Sequence, residues 1–481
     1  MLHIKLGRPH FAPQDWCIRT ALFLAKSMAF LLVLLLAGVP PLWASEIDRG
    51  EYLARAADCI GCHTSEPSRP LAGGYRVPTP FGEVYSTNIT PDRDTGIGLY
   101  TDDEFVSAVR EGKRRDGADL YPAMPYDSFA QMSREDILAI KAYLFAQPPM
   151  HQPRPDNILP FPFSQRAIVK FWKIANWRGG GFAPDPSRDD EWNRGAYLVE
   201  VLGHCGACHT PRNMTLGMDR QKNLAGGSAG IWQAYNITSD PTAGVGGWSD
   251  AELGRFLKTG ALPGKSYAGG PMAETVTNSL SHLPDGDIRA IVAYLRSVPA
   301  QAGEEKQPRS SQQGIAASAG PDGQNVPHGN ITSDGAGLYA SLCADCHRPD
   351  GRGSPDGGFP SLVHNTTTGA PTSQNVVMTI LYGVQAGGVA GRPSMAAFAD
   401  WLDDAQVASL ANYVFVHFGN PEVNVAASDV RQMRAGAQTP ETLMLICVEA
   451  LVAACAALLL LCVWLLARRY LGRLLPGHVR A

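Results

Sequence analysis

Cys59-Ile60-Gly61-Cys62-His63 recurs as Cys205-Gly206-Ala207-Cys208-His209 and again as Cys343-Ala344-Asp345-Cys346-His347. No other feature of the 481 residues narrows the possible folds as sharply. Two thiols separated by two residues can add to the two vinyl groups of one haem, and the histidine that follows is carried to the iron as proximal ligand. Three copies imply three covalently held haems c, on Cys59 and Cys62, on Cys205 and Cys208, and on Cys343 and Cys346, with His63, His209 and His347 as axial ligands. A zinc site would need a second ligand pair close by, and a thioredoxin-like dithiol needs no trailing histidine.

Composition matters here mainly through cysteine. Six of the ten cysteines lie in the pentads; Cys17 lies near the N-terminus, and Cys447, Cys455 and Cys462 lie in an apolar run. No pair remains for a disulfide framework. A net charge of -4 shows no basic excess of the kind that binds nucleic acid. The length accommodates three or four domains of about 150 residues.

Residues 1–44 read as a signal peptide. Lys26 precedes an apolar core from Met28 to Ala37 that is too short to span a bilayer, and Leu42-Trp43-Ala44 offers a cleavage site before Ser45. The chain is therefore expected to be exported.

Two of the pentad-bearing units share further words in the same order. Arg49-Gly50-Glu51-Tyr52-Leu53 matches Arg194-Gly195-Ala196-Tyr197-Leu198, Leu71-Ala72-Gly73-Gly74 matches Leu224-Ala225-Gly226-Gly227, and Asn88-Ile89-Thr90 matches Asn236-Ile237-Thr238. These are internal repeats. Each Asn-Ile-Thr fits a glycosylation acceptor, but its recurrence at matched places favours a structural turn beside the haem. The spacing predicts a helix from Glu46 to Asp58 that delivers the first pentad. Thr101 and Ser249 read as caps of helices ending at Gly112 and Gly260, and final helices are predicted from Ser133 to Phe145 and from Asp285 to Ser297.

Candidate sixth ligands lie between these helices. Met124, in Tyr121-Pro122-Ala123-Met124-Pro125, follows His63 by 61 residues, and Met272, in Gly270-Pro271-Met272, follows His209 by 63. A proline-flanked loop is expected to hold each thioether, and His/Met ligation raises the haem potential, as suits an electron carrier. The third unit is shorter: Met395, in Arg392-Pro393-Ser394-Met395, follows His347 by 48 residues. Its helices are predicted over Asn375 to Tyr382 and Asp403 to His417. His364 and His417 are competing ligands in principle, although a lone histidine is more often structural.

The connectors differ in kind. Gln301 to Ser333 is rich in Ser, Gly, Gln and Pro, which predicts a flexible linker. Pro148 to Asp190 carries Phe161, Phe163, Phe171, Trp172 and Trp177 among its prolines and glycines, so it is expected to dock across the first two units or to meet a partner subunit or membrane. Leu443 to Ala467 is a run of 25 residues with Glu449 as its one charge, followed by Arg468, Arg469 and Arg473. That pattern predicts a transmembrane anchor with residues 468–481 as a cytoplasmic tail and the haem units on the outer face.

Together with Ser86-Thr87-Asn88-Ile89-Thr90-Pro91, Tyr121-Pro122-Ala123-Met124-Pro125-Tyr126, Gly203-His204 leading into Cys205, Thr210-Pro211-Arg212 after His209, and Gly270-Pro271-Met272-Ala273, this order of three pentads resembles the triheme cytochrome c subunits of bacterial membrane-bound alcohol, gluconate and fructose dehydrogenases. The resemblance covers nearly all of Glu46 to Phe418. It implies a mainly α chain of three tandem class I cytochrome c domains, at 45–147, 191–300 and 334–420, plus the C-terminal transmembrane helix. It further implies that Met124, Met272 and Met395 are distal ligands. Electrons would pass from a separate catalytic subunit of flavin or quinone-cofactor type, with room for a small third subunit, through the haems to ubiquinone at the periplasmic face of the inner membrane.

Other classes fit less well. A peroxidase would need an iron with an open sixth position, whereas each unit supplies a methionine. A membrane-anchored cytochrome feeding a terminal oxidase shares export, haems and anchor, and is the alternative. The glycine run Gly179-Gly180-Gly181 follows no strand and opens no helix, so it is no dinucleotide fingerprint, and the chain is not expected to be an enzyme by itself.

Overall fold

The computed structural model describes residues 42–79, 81–312, 314, 334–384, 394–436 and 452–468. The chain is mainly helical, with three two-stranded antiparallel hairpins among the described residues. The principal helices are α1 (Leu42–Ala56), α2 (Asp102–Glu111), α3 (Arg134–Phe145), α4 (Ala167–Asn176), α5 (Asp190–Ala196), α6 (Asp250–Thr259), α7 (Asp285–Ser297), α8 (Gly335–Leu342), α9 (Gln374–Tyr382) and α10 (Asp404–Phe418). The hairpins are Arg76–Thr79 with Gly82–Tyr85, Gly227–Ala229 with Trp232–Ala234, and Ala261–Leu262 with Ser266–Tyr267.

Local chemistry sets the helix ends. At α2 the Thr101 hydroxyl accepts from the Glu104 N–H (3.2 Å) while the Glu104 carboxylate accepts from the Thr101 N–H (2.8 Å), and Ser249 and Glu252 do the same at α6. Both helices end at a left-handed glycine, Gly112 and Gly260, where a Cβ would strain the backbone. Ser133 caps α3 and Asp403 caps α10.

In each unit the helix that leads to the pentad crosses the last helix at a glycine. A Cβ on Gly50 would lie 2.0 Å from the Ala139 carbonyl oxygen, one on Gly195 would lie 1.9 Å from that of Ala290, and one on Gly335 would lie 2.3 Å from that of Ser409. The backbones of α1 and α3, α5 and α7, and α8 and α10 can approach this closely only without a side chain at the crossing. Between crossing glycine and pentad the second unit has one residue more than the first. The chain accommodates it as a π-helical stretch, Tyr197–Leu202, which widens the turn instead of shifting the pentad.

The buried side chains group into two cores. One runs from Leu53 through Ile137, Ile140, Leu202 and Leu224 to Ile291 and Val298 and so joins the first two units; the other, around Leu338, Val377, Leu381, Val407 and Phe415, belongs to the third.

The linker departs from what composition suggests, whereas the aromatic connector docks across the first two units as expected, Asn176 giving Nδ2 to the Thr215 carbonyl (3.1 Å) and Phe182 packing on Tyr197 of the second. Residues 301–312 are docked, because Arg309 is buried at 6% exposure, gives Nη1 to the Ala243 carbonyl (2.8 Å) and to Glu305 (2.9 Å), and lies 4.2 Å over the Tyr235 ring. One arginine with three partners outweighs the local Ser/Gly/Gln/Pro content, so free-linker behaviour does not hold over these residues; 315–333 lie outside the described residues. In the aromatic connector, α4 packs on the first unit: Trp172 meets Tyr126 edge-on, Trp177 Nε1 donates to the Arg110 carbonyl (3.0 Å), and Lys173 pairs with buried Asp119 (2.6 Å). Phe161, Phe171 and Ile174 stay exposed on it, at 75%, 72% and 82%.

Residues 1–41, which hold most of the expected signal peptide, and 443–451 of the expected anchor lie outside the described residues. Residues 452–468 form a helix, and among the described residues no helix is long and apolar enough to cross a membrane.

The glycine crossings give a direct test. Gly195→Ala must displace a backbone carbonyl, so it should cost on the order of 2–3 kcal/mol in chemical denaturation. Gly181→Ala, with nothing within 4 Å of its added Cβ, should fall within about 0.5 kcal/mol of the parent.

Candidate haem-attachment sites

Each pentad closes a single helical turn: Cys59–His63 in the first unit, Gly206–His209 in the second and Ala344–His347 in the third. His209 N–H donates to the Cys205 carbonyl (2.9 Å) and His347 N–H to that of Cys343 (2.8 Å). In one turn of helix, positions i, i+3 and i+4 share a face, so both thiols and the imidazole are presented together. The chain enters the first two turns through left-handed residues, Asp58 (φ 50°) and His204 (φ 35°), which swing the pentad off the preceding helix.

The three histidines are held alike. His63 Nδ1 lies 2.7 Å from the Thr87 carbonyl oxygen, His209 Nδ1 2.6 Å from that of Tyr235, and His347 Nδ1 2.8 Å from that of Pro360. A carbonyl only accepts, so Nδ1 carries the proton and the Nε2 lone pair is left for a metal. Burial lowers the pKa of all three, which keeps the rings neutral.

The repeated Asn-Ile-Thr words position two of these carbonyls. Asn88 Oδ1 accepts from the Thr90 N–H and hydroxyl (2.9 and 2.8 Å), and Asn236 Oδ1 from those of Thr238 (2.8 and 2.7 Å). Thr87 and Tyr235, whose carbonyls accept from His63 and His209, stand immediately before these turns. Both asparagines are buried and give Nδ2 to the chain just after the last helix of their unit, to the Met150 and Gln301 carbonyls (2.6 and 2.7 Å). Asn365 makes the same turn in the third unit, accepting from the Thr367 N–H (2.8 Å). Its word is Asn365-Thr366-Thr367, and the change from Ile to Thr hides the likeness in the sequence.

Of the methionines, Met124 and Met272 pack against the shared core and Met395 against the third unit's core. Met124 sits in the proline-flanked turn expected, its N–H donating to the Tyr121 carbonyl (3.3 Å), whereas Met272 does not sit in a loop. Met272 sits in the first turn of the helix Gly270–Asn278, which Pro271 can enter because the first turn needs no N–H donor there. Met395 is extended and exchanges backbone hydrogen bonds with Val384 (2.9 and 3.2 Å). Met272 lines one cavity of about 570 Å³ with Cys205, Cys208 and His209, and Cys343, Cys346, His347 and Met395 line the same space. Walls of this shape, with a histidine and a methionine from each of two units, fit inserted flat apolar groups.

The thiols are unlike those of a redox pair. Burial pushes Cys59, Cys205 and Cys343 up to about 12 and raises Cys208, whereas a reactive dithiol has a depressed pKa. Among the described residues no cluster of three or more His, Cys, Asp or Glu is placed to hold a free metal ion. His364 Nδ1 faces the Ser310 carbonyl (3.2 Å), and His417 stacks on Tyr413 with Nδ1 against the Tyr413 carbonyl (2.9 Å); neither lines the cavity.

Residues 332–415 match the Cytochrome c family. Over 442 residues the chain is 46% identical to the fructose dehydrogenase cytochrome subunit of Gluconobacter japonicus, covering 85% of this chain and 89% of that protein. It is 40% identical over 412 residues to the gluconate 2-dehydrogenase cytochrome c subunit of Pantoea cypripedii (81% and 89%). It is 36% identical over 432 residues to the alcohol dehydrogenase (quinone) cytochrome c subunit of Gluconacetobacter polyoxogenes (86% and 89%). The chain belongs to this family of dehydrogenase cytochrome c subunits. As such it is an electron-transfer subunit, not a catalytic one, and haem c is its cofactor class.

If Met124, Met272 and Met395 each supply a thioether to iron, replacing any one by Ala should lower the potential of a single haem, because the thioether favours the reduced state. Redox titration of the three variants checks this; a variant with all potentials unchanged removes that methionine from the ligand set.

Proposed function

We propose that the chain holds three haems c and conducts electrons from a catalytic dehydrogenase subunit to ubiquinone at the membrane. What carries the reading is the threefold repetition of one device: a helical turn presenting two thiols and a histidine whose Nδ1 is committed to a backbone carbonyl. The cofactor supplies one-electron chemistry when bound. The chain's part would be to fix the ring orientation through Thr87, Tyr235 and Pro360, to supply a thioether from Met124, Met272 and Met395, and to exclude water with the two cores.

The proposed ligand set is His63 with Met124, His209 with Met272 and His347 with Met395, with thioether links at Cys59 and Cys62, Cys205 and Cys208, and Cys343 and Cys346. The three units would be tandem cytochrome c domains. Kinship to the three subunits named above supports a partner that oxidises an alcohol, a sugar or a sugar acid. The word quinone in the name of the alcohol dehydrogenase relative supports the acceptor. Export by residues 1–44 and anchoring by 443–467, with the arginines at 468, 469 and 473 inside, would place the haems on the periplasmic side of the inner membrane.

The purified complex, given the substrate of its dehydrogenase, should reduce a ubiquinone analogue. His347→Ala should cut this turnover while the first two sites still reduce, which stopped-flow spectra can follow. Unchanged quinone turnover in that variant would take the third site off the main path, and co-purification with oxidase subunits in place of a dehydrogenase would favour the oxidase-linked alternative.

A further inference from the structure

The first two units are tied by a reciprocal exchange of tyrosines. Tyr52 of the first unit donates its hydroxyl to Asp287 of the second, whose carboxylate is gripped by Arg194 of its own unit (Nε–Oδ1 2.9 Å, Nη2–Oδ2 3.2 Å). Arg194 also donates to the Tyr52 hydroxyl and lies 5.5 Å over its ring. In the mirror arrangement Tyr197 of the second unit donates to Asp136 of the first, and Arg49 pairs with that carboxylate. Arg49-Gly50-Glu51-Tyr52 and Arg194-Gly195-Ala196-Tyr197 therefore each supply an arginine to their own unit and a tyrosine to the other. The third unit has Gly337 at the tyrosine's place, two residues after crossing glycine Gly335, so it has no counterpart.

The two units touch again nearer their pentads. Tyr75 donates to Glu274 (2.9 Å), and the His204 ring stands edge-on to Phe129 with centroids 5.5 Å apart. Burial, followed by the bond to the partner carboxylate, raises the pKa of Tyr52 and Tyr197, so both hydroxyls stay donors across the working range.

We infer that Tyr52 and Tyr197 are positioning residues that fix the first haem site against the second, so that electron exchange between these two sites depends on both hydroxyls. The inference rests on the haem-bearing function proposed above. Each arginine ties the carboxylate, which stands on its unit's last helix, to the helix that leads to that unit's pentad, so each tyrosine bond restrains one unit relative to a rigid part of the other. Two such bonds from opposite sides restrain rotation in both senses. With one removed, the other remains as a pivot.

The test is the full-length chain carrying Tyr52→Phe and Tyr197→Phe, which delete only the hydroxyls. Haem content and the three midpoint potentials are measured first, followed by the rate at which an electron delivered by flash photolysis redistributes between the first two sites. The double variant should keep three haems and their potentials yet redistribute electrons roughly tenfold more slowly, given how steeply positioned reactions respond to misplacement of about an ångström. An unchanged rate, with only the unfolding midpoint lowered, overturns the inference. Fewer than three haems in the parent chain would instead overturn the underlying function. If the double variant fails to load haem, each single variant is measured; both should slow the exchange by a smaller factor, and parent rates in both overturn the inference.

Discussion

The contact on which the rest depends is the crossing of two helices at a glycine. Gly50, Gly195 and Gly335 each bring the helix that leads to a pentad against a carbonyl of the unit's last helix, at a distance where any side chain would collide. That crossing sets where the pentad begins, so it also sets where the histidine can find its carbonyl. A shift at the crossing would move thiols and imidazole together, because they share one helical turn. The likeness of the three sites thus goes together with three absent Cβ atoms at the crossings.

Much of this is legible in the sequence, and the limits are physical. The capped helices at Thr101 and Ser249 can be read because side chains at fixed offsets satisfy the helix ends, and the helix from Asp285 to Ser297 because Ile288, Ile291, Val292 and Leu295 recur on one buried face. The pentads can be read because covalent chemistry fixes their spacing. The acceptors for His63, His209 and His347 cannot, since they are backbone carbonyls and any residue provides one. Tyr52 and Tyr197 are visible only as repeated letters, because their partners Asp287 and Asp136 are brought near by packing. The docking of residues 301–312 is likewise hidden: composition describes an average chain, and here one arginine with Ala243, Glu305 and Tyr235 around it decides the outcome.

The units are copies that have taken different places. The first two share a core and exchange tyrosines. The second and third share a cavity lined by both of their cysteine pairs and both histidines. The second unit therefore contacts the first on one side and the third on another, which suits a chain whose task is to carry charge rather than to bind substrate. Its extra residue is absorbed in the π-helical turn at Tyr197–Leu202, leaving both contacts in register. The aromatic connector serves the first unit in the same spirit: Trp172, Lys173 and Trp177 face inward while Phe171 and Ile174 remain outside.

The central proposal is that all three sites, built alike, hold the same group by the same bonds. The most direct measurement is the mass of the intact chain under denaturing conditions, where only covalent attachments survive. A mass exceeding that of the polypeptide by three haem groups, falling by one group each in Cys59→Ala/Cys62→Ala, Cys205→Ala/Cys208→Ala and Cys343→Ala/Cys346→Ala variants, is the predicted result. Two haem groups or fewer on the parent chain would contradict it.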